Sequence, residues 1–261
     1  MQGPLHGPLQ LAGTPVIALW TGAPHGDQRR VLENGARPPR EVPDGLTVVG
    51  VRQVHGNRVV VAEAAATPTR DQTARAATTA RAGATQGHPG PLAEGDAVLA
   101  TDDPTCVAVL VADCLPIAIG SPEGVRVAVH AGWRGLVCGV IGQAAKAASD
   151  AGGSSLVAAL GPCIGPCCYE FSRADLDAAA RTLGPEVLAM TRGGAPAFDL
   201  RAAARKALRS VGARIVGDID SCTACGDGWF SARAQHCAAR QALYLWRRGP
   251  GGSAGSVLRN G

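Results

Sequence analysis

A layered α+β fold is the expectation for this chain. Apolar β-branched runs crowd its first two thirds, helix-patterned runs dominate its last third, and the two do not alternate as a βαβ repeat would require. Chemistry-bearing motifs are spread over most of the 261 residues, so 1–261 is read as a single domain, and 46% hydrophobic residues suffice for a sizeable core.

Taken in order, residues 1–13 are rich in Gly and Pro and read as a loose tail, as do residues 248–261. Strands are expected at 47–51, 58–62, 97–100, 106–112, 117–120, 125–129, 156–160 and 214–219, where β-branched and small apolar residues run between turn formers. Cys-Val-Ala-Val-Leu-Val-Ala at 106–112 is apolar on both faces and is therefore assigned to the centre of a sheet. The stretch 64–91 consists of Ala, Thr, Arg and Gly with almost no bulky apolar side chain, and it reads as a surface loop. Helices fit 136–151 ended by Gly152, 173–183 behind a Ser172 cap, 200–211 between an Asp199 cap and Gly212, and 234–247.

Composition excludes several functions. The net charge of +4 comes from arginine, since Lys146 and Lys206 are the only lysines, and aromatics make up only 3%, so neither the basic clusters nor the stacking platforms of a nucleic-acid binder are present. No apolar run approaches the ~18 residues of a membrane span. The first twenty residues lack the basic and apolar regions of a secretory signal. Nine cysteines, an odd number, then read as thiols or ligands of a cytoplasmic protein rather than as a disulfide framework.

Three stretches carry the candidate chemistry: Arg-Gln-Val-His-Gly at 52–56, Ala-Asp-Cys-Leu-Pro at 112–116 and His-Ala-Gly-Trp-Arg-Gly at 130–135. They offer two imidazoles, His55 and His130, and one thiolate, Cys114, from separate strand ends. Such a set is a candidate three-ligand metal site, which leaves an open position where a bound water ionises near neutral pH. Asp113 beside the thiolate and Asp96 at a strand start are candidates to orient a ligand histidine or to move a proton. Arg134, four residues past His130 behind a Gly turn, suits bidentate recognition of phosphate or carboxylate, and Gln53 is grouped with it as a substrate contact. The thiols of Cys-Ile-Gly-Pro-Cys-Cys at 163–168 and Cys-Thr-Ala-Cys at 222–225 have the spacing of a tetrahedral zinc set. The Gly and Pro among the first of them favour a turn in a pocket wall, and no second metal is expected. Cys106, Cys138 and Cys237 are read as small core residues.

These motifs, with Gly-Asp-Ala at 95–97, Gly-Pro-Cys-Ile-Gly-Pro-Cys-Cys-Tyr-Glu at 161–170 and Phe-Ser-Ala-Arg at 230–233, resemble in order the YfiH-like family. Its members are labelled laccase-domain proteins, polyphenol oxidases, purine nucleoside phosphorylases or peptidoglycan-editing factors. The resemblance runs from about Val48 to Trp246. At 18–34 the chain departs from the Gly-rich segment ending in Ser-Leu-Asn that the family usually carries. The resemblance implies two stacked mixed sheets flanked by helices. It also implies zinc on His55, Cys114 and His130, the 163–168 segment as a loop beside the active site, and substrate contacts at Arg233 and Arg240.

A four-copper oxidase needs imidazoles in His-x-His pairs, and the six histidines of this chain include none. A single Cu²⁺ suits the same three ligands, which bind it more tightly than Zn²⁺. Zinc with one thiolate can deliver hydroxide to C6 of adenine, which is deamination, and the resemblance adds phosphorolysis, with Arg134, Arg233 and Asp96 available to hold phosphate and assist the leaving base. The expectation is a zinc-dependent purine nucleoside phosphorylase with secondary adenosine deaminase activity. Its partners are a small nucleoside and phosphate, with oligomeric state left open. Two alternatives are a cysteine hydrolase or amidase with Cys114 as nucleophile, acting in peptidoglycan editing, and a zinc-stabilised binding module.

Overall fold

The computed structural model describes residues 7–62, 92–249 and 256–258. The chain runs β1 (Leu9–Leu11), β2 (Val16–Trp20), α1 (Arg29–Leu32), β3 (Thr47–Val49), β4 (Val59–Val61), β5 (Ala97–Ala100), β6 (Thr105–Val111), β7 (Leu115–Gly120) and β8 (Arg126–Ala131). It continues through α2 (Trp133–Val137), α3 (Val140–Asp150), β9 (Val157–Leu160), α4 (Arg173–Leu183), β10 (Leu188–Met190), β11 (Pro196–Phe198), α5 (Leu200–Ser210), β12 (Arg214–Asp218), α6 (Ala232–Gln235), β13 (Gln241–Arg247) and β14 (Ser256–Leu258).

Two mixed six-stranded sheets stack face to face, in the orders β14-β1-β2-β13-β6-β3 and β12-β9-β7-β8-β5-β4. Both follow one pattern: the pair at each edge is parallel and the three inner junctions are antiparallel. Three apolar layers result. Val107, Val109, Leu243 and Leu245 of the first sheet meet Val98, Ala118, Ala128 and Ala159 of the second between them. The far face of the second sheet packs Ile117, Val127 and Val129 against Ile141, Ala144 and Ala148 of α3 and Leu208 of α5. The outer face of the first sheet is covered by Val31, Leu32 and Val42. Strands sandwiched in this way are buried on both sides, which is why β5, β6 and β7 read as nearly continuous apolar runs.

The expected layers and most strands are present, with four corrections. The helix expected at 234–247 is absent: one turn, α6, is followed by β13, which lies between β2 and β6 and is buried over 241–246. Its apolar run cannot be distinguished from a buried helix by periodicity, and ladder pairing on both edges decides the matter. The helix expected at 136–151 breaks at Gly139, whose φ of 80° is left-handed, so α2 and α3 are separate. The two tails are not wholly loose, because β1 and β14 pair in parallel at the edge of the first sheet. Cys138, expected in a core, is exposed at the end of α2. The loop expected at 64–91 lies outside the described residues. The Ser172 and Asp199 caps form, each side chain accepting from the amide three residues on. No helix of the described residues is long and apolar enough to cross a membrane.

Gly161 follows β9 directly and faces Trp20 of the other sheet with no room for a side chain. A Cβ there would collide with the Trp20 indole of β2 and lie 2.7 Å from Pro116 Cγ. Gly161→Ala is expected to cost about 3 kcal/mol through overpacking, lowering the melting midpoint by roughly 6–12 °C. A midpoint equal to the parent's would show that the indole swings clear.

Candidate active site

The site forms where several strand ends converge. β6 ends at Val111 and turns through Asp113, held at φ 88°, so that Cys114 emerges immediately before β7. His130, 3% exposed, is the penultimate residue of β8 and stands opposite Pro116 of β7. His55 lies at φ 60° in the turn between β3 and β4. The ligand atoms of His55, Cys114 and His130 lie within 4.8 Å of one another, with 3.9 Å from Cys114 Sγ to His55 Nε2. The two rings meet edge to face, their centroids 4.9 Å apart. Gly132 makes room for this approach, since a Cβ there would sit 3.0 Å from His55 Cδ2 and 3.1 Å from Cys114 Sγ.

Asp96 organises the cluster from behind. It is fully buried, and its Oδ1 lies 2.9 Å from His130 Nδ1 and accepts from the His55 amide, also at 2.9 Å. Its Oδ2 accepts from the amides of Gly56 at 2.7 Å and Val54 at 3.3 Å. One carboxylate therefore folds the 54–56 turn that carries one imidazole and orients the other, leaving His130 Nε2 for a metal. Burial opposes its ionisation, but the hydrogen bonds from His130 and the amides hold it below the ordinary carboxylate range. Asp96 does not line the cavity, and its oxygens are occupied.

Burial also opposes ionisation of Cys114, yet His130 and then His55 bring the thiol down to about 6. Reciprocally, burial disfavours protonated His130, while Cys114 and Asp96 raise it to about 9. The two shifts run in opposite senses, each group favouring the charged form of the other. A divalent cation of borderline softness would replace the proton between them, and two imidazoles, one thiolate and a carboxylate behind a ligand histidine fit such an ion.

Asp113 lines the cavity beside Cys114. Its Oδ1 accepts from Thr223 Oγ1 and its Oδ2 from the Arg233 amide, both at 2.7 Å, which ties the Cys114 turn to the C-terminal segment. Both oxygens are engaged by the protein, which holds the two loops together at the cavity wall.

A cavity of about 1070 Å³ opens over the cluster and is lined by His55, Cys114 and His130 together with Arg233, Arg240 and Gln53. Arg134 stays outside its lining, with its guanidinium 4.6 Å above the Trp133 ring. Gln53 is engaged at both ends of its amide, donating to Leu110 O at 2.7 Å and accepting from Leu110 N at 2.8 Å, so it fastens the His55 loop to β6. Arg233 lies 5.2 Å from the Tyr169 ring and donates from Nη1 to Glu170 O. Arg240 donates from Nη1 to the carbonyls of Cys237, Ala238 and Ala239. Among the described residues these bonds leave the other N–H groups of both forks for a ligand.

Sequence reasoning missed Arg29, Glu33, Arg52, Tyr169 and His236, which also line the cavity. Arg52 and Tyr169 stood inside motifs already singled out. Arg29 carried no sequence signal: α1 is a single turn, docked because Gln28 N bonds Arg240 O and Asp27 accepts from both Arg29 and the Arg240 amide. The arginine beside it holds the Asp27 carboxyl down to about 2.

Residues 19–248 match the family described as multi-copper polyphenol oxidoreductase laccase, and with that match over nearly the whole chain the family is decided. The chain belongs to the YfiH-like, laccase-domain family. Among its relatives in the family is a Streptomyces coelicolor protein named purine nucleoside phosphorylase, 32% identical over 206 residues that cover 78% of this chain and 76% of that one. The Escherichia coli K12 purine nucleoside phosphorylase YfiH is 32% identical over 172 residues, covering 61% and 67% of the two chains. A Neisseria meningitidis crystal structure shares the YfiH-like fold with a TM-score of 0.67 at 23% identity, covering 93% of this chain and 98% of that one.

Proposed function

We propose that this member of the family is a zinc-dependent purine nucleoside phosphorylase. The observation that carries the reading is a three-ligand cluster at the wall of a cavity that also holds four arginines, Arg29, Arg52, Arg233 and Arg240. His55, Cys114 and His130 would hold the zinc, which would supply Lewis-acid chemistry there. The remaining steps belong to the chain's own residues. Arg233 and Arg240 hold phosphate through their unengaged N–H groups, replacing the role expected of Arg134. Tyr169 offers its ring to the base, and its phenol stays protonated as a donor, because burial and the Cys114 thiolate both push it up. An oxygen of hydrogen phosphate bonds to C1′ as the bond to the purine nitrogen breaks; the electron pair of that broken bond leaves with the base, which takes up the proton that the phosphate gives up. With water in place of phosphate, addition at C6 of adenosine and loss of ammonia gives the slower deamination. A cytoplasmic setting belongs to the same reading, because cysteines that serve as thiols and ligands suit a reducing compartment.

Free base is expected from adenosine or inosine only when phosphate is present, measured by chromatography of the products. Arg240→Ala and Arg233→Ala should each weaken the phosphate dependence by about one to two decades, the worth of roughly 1.5–3 kcal/mol for a charge-assisted pair. No base release from several purine nucleosides by zinc-loaded protein would overturn the reading. One observation favours a second, the approach of Cys114 Sγ to the His55 and His130 imidazoles within 4.8 Å, which in a metal-free protein would offer the nucleophile and base of a cysteine hydrolase. Activity on an amide that survives chelation would select it.

A further inference from the structure

The cysteines at 163–168 and 222–225, expected to form no metal site, are brought together by the fold. After β9 the chain turns through Cys163 to Tyr169, and after β12 it turns through Ser221 to Gly226. A bridge between Cys163 and Cys222 joins the two turns, with Cys163 N bonded to Ser221 O and Thr223 N to Cys163 O. Cys163 itself points into the core. The sulfurs of Cys167, Cys168, Cys222 and Cys225 converge instead on one point, all within 4.8 Å of one another.

We infer that Cys167, Cys168, Cys222 and Cys225 form a second, structural metal site, a tetrathiolate that takes one zinc ion. One pair already stands at the separation that occupant requires, and the others lie within 4.8 Å. A zinc–sulfur length of about 2.3 Å fixes the edge of a regular tetrahedron at about 3.8 Å, and Cys167 Sγ lies 3.8 Å from Cys225 Sγ. All four are free thiols. The Cys222-x-x-Cys225 segment also has the form of a knuckle, with Gly226 N bonded to Cys222 O at 2.8 Å. Cys222 Sγ accepts the Gly165 amide at 3.2 Å, a bond that favours a thiolate. Four thiolates this close repel one another unless a cation lies among them.

Such an ion would lock two walls of the active cavity. Cys168 precedes Tyr169, which lines the cavity, and Cys222 precedes Thr223, whose hydroxyl holds Asp113 beside Cys114. The site is distinct from the His55–Cys114–His130 cluster, and its existence does not depend on what reaction that cluster performs.

The test is metal stoichiometry in protein purified under reducing conditions. Two zinc ions per chain are expected in the parent, and one in either Cys114→Ala or Cys222→Ser/Cys225→Ser. Cobalt replacement reports the ligands directly, because sulfur-to-metal charge-transfer absorption grows with the number of thiolates. The Cys222→Ser/Cys225→Ser protein should lose roughly four fifths of it and Cys114→Ala about one fifth, as four of the five thiolates belong to the proposed site. If the double variant does not fold, alkylation of the apo parent replaces it: saturating zinc should protect four thiols besides Cys114. Zinc content of the parent retained in full by the double variant, charge transfer unchanged in the double variant, or no protection beyond Cys114 would overturn the inference, whereas a single zinc lost from the double variant and kept by Cys114→Ala would leave it standing and count against the first cluster instead. A Cys167–Cys225 disulfide in the reduced preparation would also overturn the inference.

Discussion

On the proposed reading, His130→Ala and Cys114→Ala are expected to abolish zinc binding at the three-ligand cluster and to lower phosphorolysis on the order of 10³-fold, the loss of about 4 kcal/mol of Lewis-acid stabilisation. The two variants should differ in what remains. His130→Ala frees Asp96 Oδ1 from its imidazole partner and leaves a cavity beside a buried carboxylate, so stability falls as well. Cys114→Ala removes only the thiolate, and with it the partner that keeps His130 protonated up to about 9. The imidazole of Cys114→Ala should therefore titrate lower than that of the metal-free parent, read by proton NMR of the ring. If both variants kept the parental zinc content, the ion would be bound elsewhere and the three-ligand centre would be wrong.

Asp96→Asn should have the second-largest effect, although Asp96 does not line the cavity. The carboxylate accepts three amides and the His130 ring nitrogen, and an amide side chain presents a donor where two of these donors already point. About 2–3 kcal/mol of stability is expected to go. Zinc affinity should fall by about 10–100-fold, the usual cost of losing the partner behind a ligand histidine. The sign of the pH dependence follows from its depressed carboxyl. The stability Asp96 contributes is present above the ordinary carboxylate range and is lost as pH falls through its lower folded value. The parent should lose this stabilisation on acidification, whereas Asp96→Asn should lack that component of its pH profile. Denaturant unfolding across acid and neutral pH separates the two, and parallel profiles would show that the carboxylate contributes nothing in its charged form.

The members of the His55–Cys114–His130 cluster were legible as candidates from residue types, because a buried run ending in Asp-Cys-Leu-Pro and one ending in His-Ala-Gly-Trp-Arg-Gly place side chains where a sheet surface stops, and the fold brings them together. Their support was only partly legible. Asp96 was marked as a group to orient a histidine, but that it also folds the 54–56 turn depends on β5 lying beside β4 and β8. Arg134 was favoured for phosphate because four residues separate it from His130, yet one turn of α2 rotates it onto Trp133. Arg29 arrives from a segment with no motif.

Local pattern by itself determined the strands β5, β6 and β9 and the helices α4 and α5, whose periodicity, burial demand and caps agree within a few residues. Where local signals were ambiguous, tertiary structure decided. The run 241–247 became a strand because β2 and β6 each offered a free ladder edge, and backbone groups buried between sheets must be paired. The two cysteine turns lie more than fifty residues apart, and nothing in either encodes the other. The parallel pairing of β9 with β12 brings their ends level, and only that register sets four sulfurs within reach of one ion.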